Sequence, residues 1–139
     1  MCKLDRFIIA QDKCIDNVIE ELNNNRKRSH WIWYIFPQCK GLGSSPTSIR
    51  YSIQSKQEAL DYLHNDILYD RLITCCNILL RSECYNIKDI LGYPDDLKFK
   101  SFLTLFMNVS PQELIFTTLL DKYFSGQQCS QTRIFLSLI

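Results

Sequence analysis

Between Leu4 and Leu22, apolar side chains return every three or four residues: Leu4, Phe7, Ile8, Cys14, Ile15, Val18, Ile19 and Leu22. Asp5, Lys13, Asp16 and Glu20 fall mostly on the other side. A period of about 3.6 residues is that of a helix with one face buried. The spacing predicts a helix over 4–23, ended by Asn23-Asn24-Asn25. Helix punctuation then recurs along the chain. Ser55-Lys-Gln-Glu58 is a capping box opening a helix to about His64. Asp66 opens another, with Leu68, Leu72, Ile73, Cys76, Leu79 and Leu80 inward. Asn86 to Leu91 reads as a short helix stopped by Gly92 and Pro94. Asp95 or Asp96 caps a helix through about Met107, and Ser110-Pro-Gln-Glu113 opens one ending near Gly126. Thr132 starts a last apolar turn, Ile134 to Ile139. At 139 residues the length suits one domain. The reading is all-α: a single compact domain over 1–139, of about six to eight helices, several of them short.

Two features interrupt this pattern. Gln11 lies four residues from both Phe7 and Ile15, so a primary amide sits in the apolar stripe. It either satisfies core backbone groups or lines a pocket, because an unpaired buried amide costs about 1–3 kcal/mol. The second feature is the stretch from Arg26 to Gly43. Arg26-Lys27-Arg28 runs into Ser29-His30, then six bulky apolar residues, Pro37-Gln38 and a glycine-spaced loop. Ser29 can cap a short helix through Tyr34 or Ile35, although the run from Trp31 to Phe36 also suits a strand. Gly41, Gly43, Pro46 and the serines between them read as loop.

The chain resembles the domain-of-unknown-function family 1810, a helical family. The resemblance rests on Leu4-Asp-Arg-Phe-Ile-Ile-Ala-Gln11, Glu21-Leu22, Arg26-Lys-Arg-Ser-His-Trp-Ile-Trp33, Ile35-Phe-Pro-Gln38, Gly41-Leu-Gly43 and Tyr51-Ser-Ile53. It continues through Glu58-Ala59, Tyr62-Leu63, Gly92, Pro94-Asp-Asp-Leu-Lys98, Ser101 and Thr104-Leu-Phe106, covering nearly the whole chain. Asn25 stands where the family usually has glycine, and Cys39 where it typically has an apolar residue. The resemblance implies a compact helical domain and carries no reaction with it.

The site expected from these residues is an aromatic floor with a cationic rim. Lys27, Arg28 and Ser29 lie at the start of the short helix and would hold phosphate. Trp31 and Trp33 cannot share one helix face; either both pack in the core, or one does and the other, or Phe36, stacks on a ligand ring. Gln11, Gln38, Gly43 and Tyr51 complete the ligand-binding set. Lys98, Ser101 and Thr104 recur every three residues, a polar stripe expected to face Gln11, His30 and Gln38. His30, Asp95 and Asp96 are the acid–base candidates.

The expected ligand is therefore a small anionic, nucleotide-like molecule. The expected chemistry, if any, is cleavage of an N-glycosidic bond in an ADP-ribose-type substrate. The alternative is a non-enzymatic module that docks Arg26–Trp33 on an acidic protein or an RNA. A net charge of +1 speaks against a dedicated nucleic-acid surface. The longest apolar run, Trp31 to Phe36, is far below the roughly 18 residues of a membrane span. The charged N-terminus lacks a leader's apolar stretch, so a cytoplasmic protein is expected. Seven cysteines with Cys75 and Cys76 adjacent are read as reduced, mostly buried hydrophobes. No metal-ligand spacing occurs and no cofactor is implied.

Overall fold

Local punctuation and burial together give ten helices among residues 3–138, the residues that the computed structural model describes. They are α1 Asp5–Asp12, α2 Ile15–Asn23, α3 Ile32–Ile35, α4 Pro46–Arg50, α5 Lys56–His64, α6 Asp66–Arg81, α7 Ile87–Leu91, α8 Asp95–Val109, α9 Leu114–Phe124 and α10 Ser130–Ser137. Among the described residues no strand forms; Cys39 and Ile53 make an isolated parallel bridge.

The core is organised by α8, which packs against α5, α7, α9 and α10, while α6 packs against α2, α5 and α9. Phe99, Phe102 and Phe106 lie on one face of α8 because they recur at helical spacing, and all three are fully buried. Phe36 packs against both Phe99 and Phe102, with ring centroids at 4.8 and 5.0 Å. Phe116 of α9 meets Phe102 edge-on at 5.8 Å, and Tyr62 of α5 meets Phe106 at 5.7 Å. Each such ring contributes about 1.5–3 kcal/mol by leaving water. The aromatic residues of the fold thus serve its interior first.

Caps locate most boundaries. Ser55 accepts from the Glu58 N–H, Asn65 from the Leu68 N–H and Asn86 from the Lys88 N–H. Several boundaries differ from the sequence reading, each for a local reason. The first helix is two: the Lys13 and Cys14 N–H groups bond back to Ala10 and Gln11, three residues behind, and the tightened turn ends α1. The Val18 N–H then bonds to the Cys14 carbonyl and α2 begins. Pro46 opens α4 where a loop was expected, because Ser45 caps it through the Ser48 N–H and proline suits the first helical position. Asp95 is the first residue of α8 rather than its cap, its carboxylate being engaged elsewhere. Ser110 and Glu113 form no capping box; Glu113 accepts from the Tyr69 hydroxyl at 2.9 Å, and α9 starts at Leu114. The final turn is a full helix, α10, beginning before Thr132; the expected end at Ile139 lies outside the described residues. The six cysteines among the described residues are all unpaired, with Cys39, Cys75 and Cys76 buried.

Candidate functional site

The segment leaving α2 is shaped by one carboxylate. Asn25 adopts a left-handed backbone, φ 55°, and the Lys27 N–H then donates to the Ile90 carbonyl at 2.7 Å. Glu21 reaches across the turn. It accepts from the Arg28 N–H at 2.6 Å, the Ser29 N–H at 2.9 Å, the Ser29 hydroxyl at 2.7 Å and the Trp31 indole N–H at 3.0 Å. Burial alone would raise this carboxyl, but the Ser29 hydroxyl, the two backbone N–H groups and the indole outweigh it and hold the pKa at about 2. Ser29 is therefore no helix cap: α3 begins only at Ile32, without a side-chain cap.

Beside this clamp the basic run meets the start of α8. Lys27 Nζ lies 2.8 Å from Asp95 and 5.1 Å from the Trp31 ring centroid, with its side chain only 6% exposed. Lys98 Nζ lies 3.4 Å from the other Asp95 oxygen and 5.0 Å from the Trp33 ring centroid. Lys27, Trp31, Trp33, Asp95 and Lys98, picked from distant parts of the sequence, thus form one connected cluster. Among the described residues, Asp96 Oδ1 and Trp33 Nε1 are buried without a partner. Arg28 and His30 are exposed; His30 contributes its carbonyl to the Tyr34 hydroxyl at 2.9 Å. The rim is cationic in sequence, but its central lysine is already neutralised by Asp95.

Three expected members lie in the interior. Gln11 is 1% exposed and donates to the Tyr34 carbonyl at 2.6 Å and the Tyr62 hydroxyl at 3.0 Å. Of the two open readings, core satisfaction is the one its contacts meet. Trp31 and Phe36 are buried in the aromatic core and present no free face to a ligand. The polar stripe on α8 also divides. Ser101 donates toward the Leu97 carbonyl and Cys129 Sγ, both at 3.2 Å, and Thr104 accepts from the Cys129 N–H at 2.9 Å. Ser101 and Thr104 hold the start of α10 instead of facing Gln11, His30 and Gln38, because α10 packs along that side of α8.

Gln38 and Gly43 come together elsewhere, in a cleft of about 260 Å³. Its walls include Gln38, Gly41, Gly43, Ser48, Ser52 and Gln54. The parallel bridge fixes one wall: the Ile53 N–H donates to the Gln38 carbonyl at 2.9 Å and the Lys40 N–H to the Ile53 carbonyl at 3.0 Å. Arg6 fastens the other end, donating to the Arg50 and Ser52 carbonyls and pairing with Glu58 at 3.1 Å. Gly43 is required by proximity, since a Cβ there would lie 2.6 Å from Ser48 Oγ. Tyr51 ends α4 behind the cleft and packs on Phe7 and Tyr34. Gln38 is only 9% exposed, and among the described residues its side-chain amide has no hydrogen-bond partner. Lys40 stands exposed at the edge. The cleft offers amides and hydroxyls with one cation, a surface for a hydroxyl-rich or amide-bearing molecule.

Sequence reasoning missed Glu21, Lys40, Ser48, Ser52 and Gln54. Glu21 carried a signal: it lies three residues after Val18 and beside Leu22, so a carboxylate flanks the buried stripe. The serines and Gln54 carried none, because only the turn of α4 brings them opposite Gln38. Among the described residues no three His, Cys, Asp or Glu side chains gather to hold a metal, and no helix is long and apolar enough to cross a membrane.

Comparison with known proteins adds a family and one solved fold. The family model described as "Protein of unknown function (DUF1810)" matches residues 1–136. The crystal structure of a conserved hypothetical protein, Rv1873, from Mycobacterium tuberculosis is similar at a TM-score of 0.95 and 42% identity. The match covers 98% of this chain and 97% of that one. No curated protein matches the chain.

Proposed function

Since the chain belongs to the DUF1810 family, a membership that brings no reaction with it, we propose from its own residues that it binds a small phosphate-bearing, nucleotide-like ligand in the Gln38 cleft. The observation that carries this reading is a cleft of about 260 Å³ walled by Gln38, Ser48, Ser52 and Gln54 with the exposed Lys40 at its edge, where the Gln38 side chain makes no hydrogen bond to the described residues. A side-chain amide that the fold leaves unused can meet a ligand presenting a donor and an acceptor side by side. Ser48 and Ser52 donate to the Ser45 and Ile49 carbonyls and the Gln54 amide donates to Ser52 Oγ, so these groups meet sugar hydroxyls with their remaining capacity, while Lys40 suits a phosphate.

Binding is better supported than cleavage. Asp95, one acid–base candidate, is committed to Lys27 and Lys98, and none of His30, Asp95 and Asp96 lines the cleft. Docking of an acidic protein or RNA on Arg26–Trp33 has one observation in its favour, the exposure of Arg26, Arg28 and His30. The burial of Trp31 takes away an aromatic platform that such docking would use.

The test is a thermal-shift series with ribose 5-phosphate, AMP, ADP-ribose and inorganic phosphate. A ligand at 100 times its Kd stabilises by about 2.7 kcal/mol. A shift in the parent that is lost in Gln38→Ala and weakened in the exposed-site variant Gln54→Ala supports the reading. A shift with ribose 5-phosphate or ADP-ribose that survives both substitutions, or no shift with any compound, overturns it.

A further inference from the structure

The Gln38 cleft does not end at its own wall. Lys40 and Gly41, which bound it, also bound a second hollow of about 420 Å³. The remaining lining of that hollow is Leu42, Gln131, Ile134, Phe135 and Leu138, so four of its five other residues are apolar. Ile134 is 58% exposed and Leu138 79% exposed on α10 and the residue after it. Each is an apolar side chain whose cover by a ligand is favourable.

What joins the two hollows is as informative as what lines them. Gly41 has a positive φ, 92°, and a Cβ built on it would meet nothing within 4 Å. The divide between the compartments therefore carries no side chain at that point and borders open space. Lys40, exposed, stands on the same divide. In order, the surface offers an apolar recess, a divide marked by glycine and a lysine, and a polar cleft lined by Gln38.

We infer that the ligand is bipartite, with a flat apolar ring against Leu42, Ile134 and Phe135, a phosphate at the Lys40–Gly41 divide, and a hydroxyl-bearing group beyond it in the Gln38 cleft. This rests on the cleft reading above and narrows it. A mononucleotide, whose phosphate is terminal, fills one compartment and the divide. Ribose 5-phosphate fills the other compartment and the divide. A nucleoside phosphate substituted on its phosphate by a second sugar fills all three, and that is the ligand class assigned here. The recess excludes charge on the ring, since no cation or carboxylate lines it apart from Lys40 at the divide.

Isothermal calorimetry on the full chain separates the parts, using ADP-ribose, AMP, ribose 5-phosphate and inorganic phosphate as probes. ADP-ribose should bind at least tenfold tighter than AMP or ribose 5-phosphate. Leu138→Asp and Ile134→Asp alter exposed side chains and should leave melting near the parent value. Each should weaken ADP-ribose and AMP tenfold or more and leave ribose 5-phosphate unchanged. Gln38→Ala should weaken ADP-ribose and ribose 5-phosphate but not AMP; Gln54→Ala, exposed, repeats that pattern should Gln38→Ala unfold. Lys40→Glu should weaken all three organic phosphates. Equal affinity for ADP-ribose and ribose 5-phosphate, with the α10 variants indifferent, overturns the bipartite ligand and leaves the cleft reading standing. No binding by any probe overturns both.

Discussion

Replacing Glu21 tests whether one carboxylate holds the whole 26–33 segment in place. Its four hydrogen bonds depress the pKa from 4.5 to about 2, a difference of roughly 2.5 units. At about 1.4 kcal/mol per unit of pH this amounts to ~3.5 kcal/mol of charge-dependent stability, reduced to about 2–3 by solvent at the edge of the turn. Because the folded pKa lies below the unfolded one, the contribution is complete above about pH 5 and disappears as pH falls toward 2. Glu21→Gln keeps the shape, one acceptor oxygen and no charge. Urea denaturation of parent and variant should show a loss of about 2–3 kcal/mol at pH 7, and the gap should close progressively between pH 5 and pH 2. Thermal melts at pH 7 should fall by roughly 10 °C for a domain of this size. A loss under 0.5 kcal/mol at pH 7, or a gap that does not change with pH, would refute the argument that the clamp acts through its charge.

Further substitutions probe the neighbouring contacts. Asp95→Ala leaves the nearly buried Lys27 ammonium without its carboxylate and should cost about 2–3 kcal/mol, whereas adding Lys27→Met should restore at least half; additive losses in a double-mutant cycle would show that the pair is not coupled. Gly43→Ala forces a Cβ onto Ser48 and should cost about 1–3 kcal/mol, with Ser48→Gly recovering part of it; an unchanged melting temperature would mean the loop yields freely. Burial would raise the Cys129 thiol, but hydrogen bonds from Ser101 and Thr132 and the backbone N–H groups of Thr132 and Gln131 outweigh it and lower the pKa. Burial pushes Cys39 up to about 11 and Cys75 to about 12, and raises Cys76 well above the ordinary range. Iodoacetamide at pH 7 should therefore label Cys129 before those three, as read by peptide mass spectrometry; earlier labelling of Cys75 or Cys76 would contradict the packing of α6.

The helices were legible where a single side chain decides a boundary. Ser55, Asn86 and Gly92 mark their helix ends in sequence and do so in the fold, because a cap is a contact among residues three or four apart. Boundaries set at a distance were not legible. Nothing near Asp95 announces that its carboxylate will meet Lys27, 68 positions earlier, instead of capping α8. The tightened turn at Lys13–Cys14 is likewise hidden, since the apolar period passes through it unbroken.

The expected site fared differently, and the reason lies in how polar residues behave beside a core. Lys27, Trp33, Asp95 and Lys98 were picked for their chemistry and do assemble, because opposite charges and aromatic faces attract each other as readily as they attract a ligand. That mutual satisfaction is what lowers their availability. Gln11 shows the same rule in full: its amide nitrogen is used within the fold, so the residue holds α1 to α3 and α5. Gln38 is the exception that points outward. It is 9% exposed against 1% for Gln11, and its side chain makes no hydrogen bond to the described residues where the chain bends around Gly41 and Gly43. Two residues of one type are thus told apart by a property that a sequence does not display, whether the fold itself supplies the partner. Where it does, the residue stabilises; where it does not, the unmet hydrogen bonds are the place to look for a ligand.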